Sequence, residues 1–154
     1  MPGKRTIVDA EETEPFVIFR LGDEEFGVDV TNIREITKIT TITRVPHTPD
    51  FIEGLINLRG SLVTVINLRK RFISEPKKID VDSRIIIAEL EDKPVGILVD
   101  AAGEVLRIPV SDIEATPEMV TTEISKEYLK GVGKIGDRLI ILLDLKRVLT
   151  KKEG

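Results

Sequence analysis

The chain has 154 residues, 41% of them hydrophobic and 32% charged, a balance that fits a globular domain and excludes an intrinsically disordered one. A formal net charge of −4 argues against a general nucleic-acid binder, which presents a net basic face, and 4% aromatic residues leave few platforms for stacked bases. The absence of cysteine rules out disulfides and thiolate chemistry, and no apolar run reaches bilayer or signal-peptide length, so the expected location is cytoplasmic with no direct membrane insertion.

Residues 1 to 14 are polar and acidic and read as a flexible tail. Phe16 to Leu21 predicts a strand, Gly22-Asp23-Glu24 a turn and Glu25 to Val30 the return strand of a hairpin. Ile33 and Ile36 follow Val30 at three-residue spacing, which predicts a helical turn starting near Asp29 or Thr31. Thr40 to Arg44 alternates and reads as a further strand before Pro46. Thr48 as cap, Pro49 at a first helical position and Gly54 as terminator predict one helical turn.

Leu55 to Leu58 and Ser61 to Asn67 are rich in β-formers, with Arg59-Gly60 as the joint of a tight hairpin. Leu62, Val63, Val65 and Ile66 form an apolar run, expected to be buried on both faces. Asn67 is placed to cap a short helix, Leu68 to Phe72, with three cations on its outer side. A polar loop spans 74–83. Arg84 to Leu90 and Val95 to Val99 predict a second hairpin about Glu91-Asp92-Lys93, after which Asp100 is placed to cap a helical segment over Ala101 to Val105. Ser111 to Thr122 carries no clear pattern. Ser125 and Glu127 predict a short helix through Leu129, Arg138 to Leu143 a last strand, and Asp144 to Leu149 a last helix.

This order repeats. Gly27-Val28-Asp29-Val30 and Gly96-Ile97-Leu98-Val99-Asp100 each follow a hairpin turn, and Asn32-Ile33-Arg34-Glu35-Ile36 and Gly103-Glu104-Val105-Leu106 come next in each half. The strand and helix of Leu62 to Phe72 have their counterpart in Ile140 to Leu149. Two matching halves follow, roughly 15–83 and 84–150, each with about five short strands, enough for a small closed barrel that leaves little free edge. Neither half buries much alone, so an apolar seam should join them.

Catalytic machinery is not evident. His47, the only histidine, sits between Pro46 and Thr48 without companions at ligand spacing and reads as a surface loop residue. Neither a Gly-x-Ser-x-Gly elbow nor a phosphate-binding Gly-x-x-x-x-Gly-Lys loop occurs. Gly131-Val132-Gly133-Lys134-Ile135-Gly136 matches Gly-x-Gly-x-x-Gly in letters. The expected order there is helix then strand, the reverse of what points free amides at a pyrophosphate, so these glycines read as turn formers.

The block Gly54, Asn57, Leu58, Arg59, Gly60 resembles the CheW chemotaxis coupling family, as do Tyr128-Leu129-Lys130-Gly131 and Gly136-Asp137-Arg138 ahead of the last strand. Thr64 and Asn67 stand where that family usually has Pro and Asp. The resemblance covers about Phe16 to Leu149 and implies a mainly β fold: two small SH3-like five-stranded β-barrels packed together, with short helices and exchanged segments. It also implies a non-enzymatic adaptor without cofactors, joining the cytoplasmic tips of chemoreceptors to the regulatory domain of a CheA-type histidine kinase. Carried over by position, the receptor-binding residues are Ile33, Glu35, Gly54, Asn57, Arg59, Gly60 and Val105, and the kinase-binding loop includes Glu114, Glu118 and Met119. Arg59 is expected either to touch the receptor or to hold the fold by bonding to the other barrel. Alternatives are a detached regulatory domain of such a kinase, an SH3-like nucleic-acid protein, or a small-ligand sensor barrel.

Overall fold

The computed structural model describes residues 12–72, 77–115 and 124–150. Its strands are β1 (Thr13–Leu21), β2 (Glu24–Asp29), β3 (Ile33–Lys38), β4 (Ile52–Leu58), β5 (Ser61–Asn67), β6 (Arg84–Leu90), β7 (Lys93–Val99), β8 (Ala101–Pro109), β9 (Ile113–Glu114), β10 (Leu129–Ile135) and β11 (Arg138–Leu143). Two short helices, α1 (Leu68–Phe72) and α2 (Leu145–Thr150), follow β5 and β11.

The strands form two sheets. A central sheet has the order β3-β6-β7-β5-β4, and a terminal sheet the order β8-β1-β2-β11-β10-β9. In each, a hairpin from one half of the chain joins strands from the other half. The β1–β2 hairpin pairs with β8 and, in parallel, with β11, while the β6–β7 hairpin pairs with β3 and, in parallel, with β5. The exchange is reciprocal: β3 leaves the β1–β2 hairpin for the central sheet, and β8 leaves the β6–β7 hairpin for the terminal one.

Burial on two faces explains the apolar runs. Phe16 and Ile18 of β1 point into a cluster with Ile108, Ile140 and Leu142 inside the terminal sheet, while Ile85 and Ile87 of β6 join Ile56, Val63, Val65 and Leu98 inside the central one. The alternate residues Val17, Phe19, Leu21, Ile86, Ala88, Ile141 and Leu143 meet in a third, larger cluster that joins both sheets. That cluster is the apolar seam. Each such side chain, fully withdrawn from water, contributes roughly 2 kcal/mol.

Several local expectations give way to tertiary pairing. Ile33 to Lys38 is a strand, not a helix. Ahead of it, Val30–Asn32 makes a 3-10 turn, with the Asp29 carboxylate accepting from the Thr31 amide at 2.8 Å. β-branched Ile and Thr suit the ladder that β6 offers, and three-residue spacing alone did not distinguish the two. Ala101 to Val105 is likewise strand, because β1 pairs with it along most of its length. Thr48 to Phe51 forms bends and turns rather than a helix, Ile52 to Gly54 already belong to β4, and Thr48 donates its hydroxyl to the Val45 carbonyl. Thr40 to Arg44 contributes one bridging residue, Thr43 opposite Leu55. Ser125 to Leu129 supplies a 3-10 turn over Lys126–Tyr128 before β10 begins.

Leu62 is 68% exposed rather than buried; Val63 and Val65 face the interior of the central sheet, and Ile66 on the other face packs against the seam. Of the expected glycine turns, Gly136 alone lies in one, and Gly131 and Gly133 lie within β10. Asn67 and Asp144 accept from the amides of Lys70 and Arg147, capping α1 and α2. Arg69 of α1 turns inward instead of outward and pairs with Asp100 at 2.9 Å. Most of the expected tail, residues 1–11, lies outside the described residues, and β1 begins at Thr13.

Candidate functional site

The turn between β4 and β5 has two residues, Arg59 (φ 49°) and Gly60 (φ 90°), the positive pair that suits the twist of a tight hairpin. Asn57 locks it by accepting from the Gly60 amide at 2.8 Å. Arg59 is not glycine, and holding it in this region costs on the order of 1 kcal/mol or more. Its side chain, 71% exposed, forks onto both oxygens of Glu35 in β3.

β3 and β4 are the outermost strands of the central sheet, so this ion pair ties one edge to the other as the sheet curls into a barrel. Arg59 is thus a surface residue bonded within its own sheet. The expectation that it might bond to the other barrel is corrected, because its partner is Glu35 of the same sheet. The buried cross-half arginine is Arg69, whose partner Asp100 also accepts from the Gly22 amide at 2.7 Å.

Gly54 has a different task from the helix terminator expected. It lies at a bulge of β4 with φ 149°, where a Cβ would stand 2.3 Å from the Thr43 carbonyl oxygen. Only glycine lets the strand from Thr43 cross so closely. Gly131 repeats this in the terminal sheet, where a Cβ would stand 2.6 Å from the Glu114 carbonyl oxygen.

Ile33, Glu35, Gly54, Asn57, Arg59 and Gly60 all belong to the central sheet, the first two on β3 and the others on β4 and its turn. Ile33 is half-buried with one side packed on the seam. Val105, 55% exposed, is on β8 in the terminal sheet. Glu114 is on β9 and pairs with Lys134 at 3.3 Å, whereas Glu118 and Met119 lie outside the described residues. His47 is an exposed turn residue. Among the described residues, no cluster of metal-ligating side chains occurs and no helix is long and apolar enough to cross a membrane.

A CheW-like domain model matches residues 15–153. The chain belongs to the CheW family. Curated relatives named chemotaxis protein CheW agree along nearly their full length. That of Klebsiella aerogenes is 38% identical over 140 residues, covering 91% of this chain and 84% of the relative. That of Thermotoga maritima is 35% identical over 157 residues, covering 97% and 99%. The crystal structure of the scaffolding protein TtCheW from Thermoanaerobacter tengcongensis superposes with a TM-score of 0.83 at 38% identity, covering 93% of this chain and 97% of that one. The expected fold and the expected chemotaxis adaptor class both stand with the CheW family.

One group escaped the sequence reading. Arg138, the first residue of β11, donates to Glu25 of β2 at 2.7 Å and to Glu104 of β8 at 2.8 Å. Hydrogen bonds from Arg138 hold both carboxylates below the ordinary glutamate value. The internal repeat carried a signal for it, since Glu104 occupies in the second half the place Glu35 has in the first.

Proposed function

We propose that this CheW-family chain is a cytoplasmic adaptor that couples the cytoplasmic tips of chemoreceptors to the regulatory domain of a CheA-type histidine kinase. The observation that carries this reading is the Arg59–Glu35 pair. A strained, exposed turn arginine is held in one orientation by a carboxylate on the strand that also carries the half-buried Ile33. Such a rigid charged point next to apolar surface suits recognition of an amphipathic helix. In this reading Ile33 supplies apolar contact, Glu35, Asn57 and Gly60 fix Arg59, Gly54 shapes the strand that carries it, and Val105 extends the receptor face. Glu114, with Glu118 and Met119, belongs to the kinase-facing end.

The test is co-elution of the purified chain with the regulatory region of a CheA kinase from the same organism, on a sizing column. A stable complex supports the adaptor. Failure with a demonstrably folded kinase domain removes the kinase half of the reading.

A further inference from the structure

The bulges of the two exchanged strands coincide. In β3, Ile33 pairs with Ala88 and Glu35 with Ile87, so Arg34 is the extra residue. In β8, Ala102 pairs with Phe19 and Glu104 with Ile18, so Gly103 is the extra residue. Ala88 and Ile87 hold in the β6–β7 hairpin the places that Phe19 and Ile18 hold in the β1–β2 hairpin. Glu35 and Glu104 are therefore equivalent, each the first paired residue after a bulge. Each also receives an arginine from the hairpin that closes its sheet, Arg59 from β4–β5 and Arg138 from β10–β11.

β8, like β3, is the outermost strand of its sheet and pairs with one neighbour only. A bulge at such an edge increases the local twist and re-aims the side chains next to it. Beside this bulge lies a pocket of about 260 Å³, floored by Ile18, Phe19, Ala101 and Ala102 and rimmed by Glu25 and Glu104. The exposed Val105 is the next residue along.

We propose that Arg138 is a positioning residue of the receptor face: by gripping Glu104 and Glu25 together it fixes the β8 bulge and sets the direction in which Val105 is presented. This rests on the receptor-facing reading of Val105 given above. Arg138 itself makes no contact with the receptor. Its fork spans two carboxylates on different strands, a geometry that a lysine's single ammonium does not reproduce.

The experiment compares the full chain with Arg138→Ala, Arg138→Lys, Glu104→Gln and Val105→Asp. Binding to a purified cytoplasmic-tip fragment of a chemoreceptor is measured alongside hydrogen exchange of the β8 amides. Arg138→Ala is expected to weaken receptor binding about fivefold, the range of a surface ion pair. It should also speed exchange across residues 102–106 while leaving β3 protected and kinase-domain binding unchanged. Arg138→Lys should recover only part of each, and Glu104→Gln combined with Arg138→Ala should be no worse than Arg138→Ala alone. Unchanged β8 exchange in Arg138→Ala overturns the proposal, as does unchanged binding while Val105→Asp loses it. If the parent chain fails to bind the fragment, the receptor reading itself falls, and the positioning of Val105 for a receptor falls with it.

Discussion

Arg59 and Glu35 join the two edges of one sheet, so a single surface ion pair both closes the central barrel and orients the residue at its β4–β5 turn. The two effects are separable by substitution. Arg59→Asp places two carboxylates against each other at the turn and is expected to abolish receptor binding, while far-ultraviolet circular dichroism and cooperative melting stay close to the parent's, because the pair is solvent-exposed. Loss of folding would instead make Arg59 a structural residue alone.

Gly54 should tolerate no side chain. Its positive φ and the 2.3 Å approach to the Thr43 carbonyl oxygen mean that Gly54→Ala must push backbone against backbone. A loss of about 3 kcal/mol is expected in denaturant unfolding, toward the upper end for single substitutions. Gly60→Ala, whose Cβ would meet nothing within 4 Å, should cost less, since only backbone strain opposes it. Equal losses at the two sites would contradict the close crossing of Thr43 and β4.

The buried pair Arg69–Asp100 ties α1 to the β7–β8 junction, with side chains only 9% and 13% exposed. Removing one member takes a charged hydrogen bond away from the other in a buried setting, so Asp100→Asn or Arg69→Met should each destabilise by about 2 kcal/mol. The double variant should cost clearly less than the sum, a coupling that a double-mutant cycle in guanidinium unfolding measures.

Acid should weaken the terminal sheet through Glu25 and Glu104. Hydrogen bonds from Arg138 lower both from the ordinary value of 4.5. A carboxylate depressed in the folded state contributes stability that is complete above 4.5 and is lost as the pH falls through the lowered folded values. Melting temperature should therefore drop on the acid side, and Arg138→Ala should lessen that drop. An unchanged acid limb in Arg138→Ala would show that other carboxylates dominate.

Hairpins and caps were legible in the sequence because local chemistry decides them. Arg59-Gly60 and Glu91-Asp92 turn where expected, and Asn67 and Asp144 cap the two helices. The repeat was legible too, since glycines and helix caps recur at matching places in both halves. What failed was the segment after each hairpin. Ile33 to Lys38 and Ala101 to Val105 carry helix-compatible spacing or composition, and only the distant ladders of β6 and β1 make them strands. For the same reason the Arg138 cluster stayed hidden: Glu25 and Arg138 are 113 residues apart in sequence, and no local pattern announces their meeting.

The reciprocal exchange of β3 and β8 also sets an order of assembly during synthesis. All strands of the central sheet lie between residues 33 and 99, so that sheet has every partner once β7 has emerged. The β1–β2 hairpin, although made first, waits for β8 and β11 on either side. At typical synthesis rates of roughly 10 residues per second, that wait lasts several seconds, during which Phe16, Phe19 and Phe26 lack their final cover. A ribosome-bound chain halted just after β7 should thus hold a protease-resistant centre and a cleavable amino-terminal hairpin.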